Sequence, residues 1–149
     1  MYYTHSGGFV QVAATWQSAP MRLLLLITLL GLNMCEKDET LAGYGAADRV
    51  WHLVELDGAP YGATATLRFP EPGRIAGEAP CNRYSGVMTT PYPWFDAAQV
   101  ISTRRACPEM AAEQAFLSAL AAMGEAEVNG DTLILRDAAG REMVFRAGA

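Results

Sequence analysis

Almost everywhere between Val50 and Arg146 the apolar residues of this chain come in short runs, each ended by Gly, Pro or Asp before it reaches helical length. That punctuation constrains the fold more than any other feature, because it suits a meandering antiparallel sheet. Val50 to Leu56 is rich in β-formers and stops at Asp57-Gly58. Thr64 to Phe69 alternates, placing Ala65, Leu67 and Phe69 on one face, and Pro70-Glu71-Pro72-Gly73 breaks it. Arg74 to Ala79 then reads as its hairpin partner, with Ile75 turned inward. Further strands are expected at Ala98 to Thr103, Thr132 to Arg136 and Glu142 to Arg146. The last two are joined by Asp137 to Gly140, where Gly140 suits a positive φ.

One helix interrupts the strands. Pro108 is expected at its first position and Glu109 in its first turn, where the helix dipole favours negative charge. Phe116, Leu120 and Met123 recur at i, i+4 and i+7 with Leu117 beside them, and Gly124 suits the residue that ends the helix. A sheet built from such short strands needs a cover for one face. The expected fold class is therefore α+β, mostly β: a curved antiparallel sheet or open barrel covered by one α-helix.

The N-terminal end carries a different signal. Arg22 is followed by an unbroken apolar run from Leu23 to Leu32 and then by Asn33-Met34-Cys35, the order of a charged region, an apolar region and a processing site. About ten residues of helix cover about 15 Å, half of a bilayer core of about 30 Å, so a permanent span is a poor reading. Residues 1–20 hold no Lys or Arg, whereas Met21-Arg22 makes an ordinary start, so translation is expected to begin at Met21. Leu32-Asn33-Met34-Cys35 resembles the bacterial lipobox, which implies lipid attachment to Cys35 and cleavage in front of it. Met34 stands where that pattern has a small residue, and a secreted protein cut near Cys35 is the alternative. The expected organisation is a 1–20 extension, a 21–34 signal peptide, a 35–49 lipid attachment and flexible tether, and a 50–149 domain.

Three cysteines leave one unpaired in an exported chain. Lipid on Cys35 would remove the odd one and leave Cys81 and Cys107 to pair in an oxidising compartment; two buried thiols are the alternative. The chain has a net charge of −5, and Arg22 is the only charged side chain before Glu36. The exported part is therefore more acidic still, about −6, which does not suit nucleic acid or anionic lipid.

Two clusters stand out, Gly77-Glu78-Ala79-Pro80-Cys81-Asn82-Arg83-Tyr84-Ser85-Gly86 and Ile101-Ser102-Thr103-Arg104-Arg105-Ala106-Cys107-Pro108. With Trp51-x-Leu53 ahead of them and the closing strand pair behind, they resemble the META domain, the family of the heat-inducible HslJ proteins. The positions that carry the resemblance are Trp51, Asn82, Tyr84, Gly86, Thr103 and Arg104, and Pro80 replaces the glycine usual before Cys-Asn. Read as residues, the first cluster is a turn feeding a strand, in which Asn82 bonds nearby backbone, Tyr84 packs on a core face and Gly86 permits a bulge. A ligand-binding loop is the sharper alternative. Arg104 and Arg105 could form an anion site or a solvated surface.

Catalytic and metal patterns are sparse. His5 precedes the export signal, and His52 shares a strand face with Val50, Val54 and Leu56, as a partly exposed or core-satisfied histidine would. Cys81 and Cys107 have no neighbouring Cys or His at chelating spacing, so neither a metal nor another cofactor is expected. The carboxylate pairs Glu55/Asp57 and Glu125/Glu127 read as lying beside turns, where nothing raises a pKa for glycoside chemistry. The resemblance implies a non-enzymatic exported lipoprotein with a role in envelope or stress tolerance, facing the periplasm or on the outer membrane. Its expected partner is the membrane, through lipid on Cys35, with no nucleic acid. A module that binds and inhibits a basic hydrolase such as lysozyme, through the acidic surface, is the alternative.

Overall fold

The computed structural model describes residues 37–148. The 1–20 extension, the 21–34 signal peptide and the Cys35 attachment point lie outside the described residues. Nine strands and one helix follow in the order β1 (Trp51–Leu56), β2 (Ala59–Pro60), β3 (Thr66–Leu67), β4 (Arg74–Glu78), β5 (Arg83–Val87), β6 (Ala98–Ser102), α1 (Met110–Ala122), β7 (Glu125–Asn129), β8 (Thr132–Arg136) and β9 (Glu142–Ala147).

They form two antiparallel sheets. The larger has the order β2-β1-β9-β8-β7, with β3 also paired to β1, and the smaller has the order β4-β5-β6. Arg68 and Ala76 make the one bridge between β3 and β4, and Trp94 bridges to Glu125 at the far side, so the sheets curl toward each other without closing into a barrel. The fold is α+β and mostly β, with α1 as the one α-helix among the described residues.

Local chemistry accounts for the turns. Asp57 (φ 53°) and Gly58 (φ 79°) both take the left-handed conformation that a tight hairpin between β1 and β2 requires. Gly140 has φ 81° in the β8–β9 connection, where Asp137 accepts the backbone N–H groups of Ala139 and Arg141.

The core lies between the sheets and under α1. Trp51, Leu53, Leu67, Ile75, Leu133, Leu135, Met143 and Phe145 come from strands, while Phe116, Ala119 and Leu120 come from α1, whose C-cap Met123 is buried with them. Alternation on β1 buries Trp51 and Leu53 and exposes His52 and Val54, as period two dictates.

The structure differs from the sequence expectation at five points. Residues 35–49 were expected to be a flexible tether, yet Leu41 and Ala46 are fully buried and Leu41–Tyr44 form a 3-10 turn. The folded body therefore begins ahead of Val50. Trp51 explains this, because its indole N–H donates to the Ala46 carbonyl at 2.9 Å and holds the segment against the core. Secondly, β4 pairs along its whole length with β5, and its backbone pairing with the β3 segment is confined to the Arg68–Ala76 bridge, supplemented by the Glu78 N–H donating to Thr66 Oγ1. Pro70 and Pro72 supply no N–H groups and shorten that ladder. Thirdly, Glu125 and Glu127 stand on strand β7, their side chains alternating outward from buried Ala126. Fourthly, α1 starts at Met110 with Glu109 as its N-cap, so Pro108 precedes the helix. Lastly, Met123 leaves α1 in an extended conformation, so Gly124 is not needed in the left-handed region to end it.

Candidate functional site

Asn82 joins the two sequence clusters. Its amide Nδ2 donates to the Arg105 carbonyl at 3.1 Å and to Glu113 Oε1 at 2.8 Å. Its Oδ1 accepts from Thr103 Oγ1 at 2.8 Å and from the Arg105 N–H at 2.7 Å. Two donors and two acceptor positions are thus all used, the full capacity of an amide side chain. Asn82 is 3% exposed and Glu113 is 4% exposed. The second Glu113 oxygen accepts the Cys81 N–H at 2.8 Å, so a buried carboxylate in the first turn of α1 holds both residues of the Cys-Asn pair. The positive end of the helix dipole adds to that stabilisation.

Cys81 and Cys107 are joined by a disulfide, with Cα atoms 5.8 Å apart. The sulfurs come close to the Glu109 carboxylate. Both being oxidised, they offer no thiolate to a metal. Arg105 adds a bond from its guanidinium to the Cys81 carbonyl at 3.1 Å.

The remaining motif residues are held by close packing. Tyr84 is buried, its hydroxyl donates to the Thr66 carbonyl at 2.7 Å, and its ring meets Phe116 edge-on at 5.5 Å. Burial pushes the Tyr84 pKa well above the ordinary tyrosine value, with the Arg68 charge opposing. Gly77 lies beneath this contact, and a Cβ there would fall 2.0 Å from the Thr66 carbonyl oxygen. Gly86 faces a register shift between β5 and β6, where a Cβ would come within 3.0 Å of the Ala98 carbonyl oxygen. Tyr61 donates to the Ala112 carbonyl at 3.0 Å, and burial first, then the Glu113 charge, raises its pKa.

Sequence reasoning singled out Asn82, Tyr84, Gly86 and Thr103, and the structure brings them to the β5–β6 hairpin and its continuation, with Trp51 apart on β1. Arg104 lies exposed beside this cluster. His52 is also exposed and far along another strand. Glu113 was missed. Its signal was present, because Glu113, Phe116, Leu117 and Leu120 share one helical stripe, and a carboxylate inside an apolar stripe calls for a buried partner.

Besides a recess of about 390 Å³ over Gly77, Tyr84 and Thr103, two neighbouring recesses border the cluster. One, of about 710 Å³, separates β6 from α1; the other, of about 290 Å³, lies over Thr103, Arg104 and Arg105.

The comparisons with known proteins agree with this geometry. The META domain model matches residues 44–149. Nothing among curated proteins matches the chain. An NMR structure of a protein from Burkholderia xenovorans is 23% identical, with a TM-score of 0.59 over 72% of this chain and 87% of that one. The crystal structure of a DUF4847 family protein from Bacteroides vulgatus is 13% identical, with a TM-score of 0.55 over 70% of this chain and 96% of that one. At these identities the likeness is one of fold.

Proposed function

Because the chain belongs to the META domain family over residues 44–149, we propose that it is an exported, non-enzymatic lipoprotein, anchored through Cys35, that contributes to envelope or stress tolerance. At a coarse level, family membership supports a non-enzymatic, envelope-associated role. The finer parts of the reading rest on the sequence: the apolar segment after Arg22 directs export, and lipid on Cys35 holds the domain at the membrane, facing the periplasm or on the outer membrane.

One observation supports the non-catalytic reading above others. The polar atoms of the most motif-like residue, Asn82, are all bonded to Thr103, Arg105 and Glu113, so the motif acts as a clamp between β5, the β6–α1 loop and α1. A catalytic amide or carboxylate needs a face left open to its substrate.

Two measurements test the proposal. Intact mass of the membrane-extracted chain is expected to show an N-terminus at Cys35 carrying acyl mass, and an unmodified terminus elsewhere sinks the anchor. Deletion in the producing bacterium is expected to raise sensitivity to heat and to envelope-active compounds. Wild-type tolerance in the deletion strain, or a purified basic hydrolase captured saturably at moderate salt, overturns the envelope role.

A further inference from the structure

The recess of about 710 Å³ between β6 and α1 has an apolar lining from Val100, Met110, Ala111, Leu117 and Ala121, and a polar one from Ser102, Glu113, Gln114 and Ser118. Its size and lining match small-molecule sites, which run from about 300 to 1,000 Å³. Met110 is 44% exposed at its border. The smaller recess adjoins it, since Ser102, Met110 and Glu113 border both. There Arg104 and Arg105 are exposed. Among the described residues Arg49, Arg83, Arg136 and Arg141 are each ion-paired to a carboxylate, whereas Arg68, Arg74, Arg104, Arg105 and Arg146 are not, and of these five Arg104 and Arg105 border this recess. Glu113 makes no ion pair with either, since its two oxygens accept bonds from Asn82 and the Cys81 N–H, but it keeps its negative charge between the recesses, so two guanidinium groups face one buried carboxylate there.

A partly apolar groove that ends at two guanidinium groups without an ion-pair partner, facing one buried carboxylate, on a chain of net charge −5, offers an apolar chain a surface and an anionic head a site. We infer that it binds a single-chain amphiphile with an anionic head. The acyl chain lies between β6 and α1, and the carboxylate or phosphate sits on Arg104 and the free N–H groups of Arg105, whose planar forks match such oxygens. An added peptide strand is the other occupant that an open sheet edge invites. β6 suits it poorly: Gln99 has φ 48°, and the ladder shifts register between Ser85 and Val87, which twists the edge.

The test uses the full chain, stripped of copurified lipid on a hydrophobic resin and titrated with dansyl-undecanoic acid. Palmitate and a lysophospholipid compete in separate arms to distinguish a fatty-acid from a phospholipid source, and hexadecanol serves as the neutral analogue. Saturable binding with a blue-shifted emission is expected. Arg104→Glu is expected to weaken the anionic probe by about tenfold, one charge-assisted contact's worth, and to leave hexadecanol unchanged. Ala121→Trp, or Gln114→Trp should the first variant melt early, fills the groove and is expected to weaken both by at least about tenfold. Absence of saturable binding overturns the inference. So does binding that both groove variants leave unchanged, an Arg104→Glu effect equal for probe and hexadecanol, or a dimer in sedimentation that closes the groove.

Discussion

Asn82 Nδ2 and Glu113 Oε1 lie 2.8 Å apart in the interior, and this bond ties the first turn of α1 to the loop that opens β5. Truncating Asn82 leaves the carboxylate oxygen, the Arg105 carbonyl and the Arg105 N–H without their buried partner. Asn82→Leu is expected to cost about 3–5 kcal/mol, the range for exposing one half of a buried charged contact. Urea unfolding measures it. The double variant Asn82→Leu/Glu113→Leu is expected to cost less than the sum of the two single changes, because each removes the other's partner.

Glycine at position 77 is fixed by a neighbour, since any Cβ would overlap the Thr66 carbonyl. Gly77→Ala is expected to destabilise by about 3 kcal/mol, as overpacking against backbone does. Gly62, where an added Cβ meets nothing within 4 Å, makes the control, and Gly62→Ala is expected to stay within about 0.5 kcal/mol. Paired thermal melts check both.

The disulfide closes a loop of 26 residues. Loop-closure entropy assigns about 3.5 kcal/mol to that constraint. Cys81→Ala/Cys107→Ala is expected to lower stability by about that amount while retaining the circular-dichroism spectrum of a mostly β fold. A loss under about 1 kcal/mol argues against the chain-entropy account.

Alkaline pH is expected to unfold the domain. Burial raises the pKa of Tyr84, and burial followed by the Glu113 charge raises that of Tyr61. Both groups hold their proton more tightly folded than unfolded. Above the ordinary tyrosine pKa of about 10 the folded state therefore binds more protons, and stability falls as pH rises. Below about pH 9 these two groups contribute no pH dependence. Tyr84→Phe is expected to flatten the alkaline decline, while costing about 1–2 kcal/mol at neutral pH for the lost bond to Thr66. Denaturant titrations from neutral to alkaline pH separate the two effects.

The strands with strong alternation were legible in the sequence, because Trp51/Leu53 and Leu133/Leu135 place bulky groups on one face regardless of context. Strand β7 was not, since Glu125, Glu127 and Asn129 leave only Ala126 and Val128 as apolar signal and its pairing is set by β8. The packing of Leu41 and Ala46 was equally silent, depending on where the Trp51 indole finds its acceptor. In the candidate site the roles of Tyr84 and Gly86 followed from residue type. The clamp did not, because Asn82 draws on partners 21 to 31 positions away and only the fold sets those distances.

The Asn82 clamp also bears on fidelity of oxidation. Three cysteines admit three pairings, and random oxidation of an extended chain would trap wrong ones. Bonds donated by Thr103 Oγ1 and the Arg105 N–H to Asn82 Oδ1 dock the segment before Cys107 against the residue next to Cys81, and they need no sulfur chemistry to form. Folding can therefore act as the template that selects Cys81 and Cys107 for each other and leaves Cys35 to a separate fate.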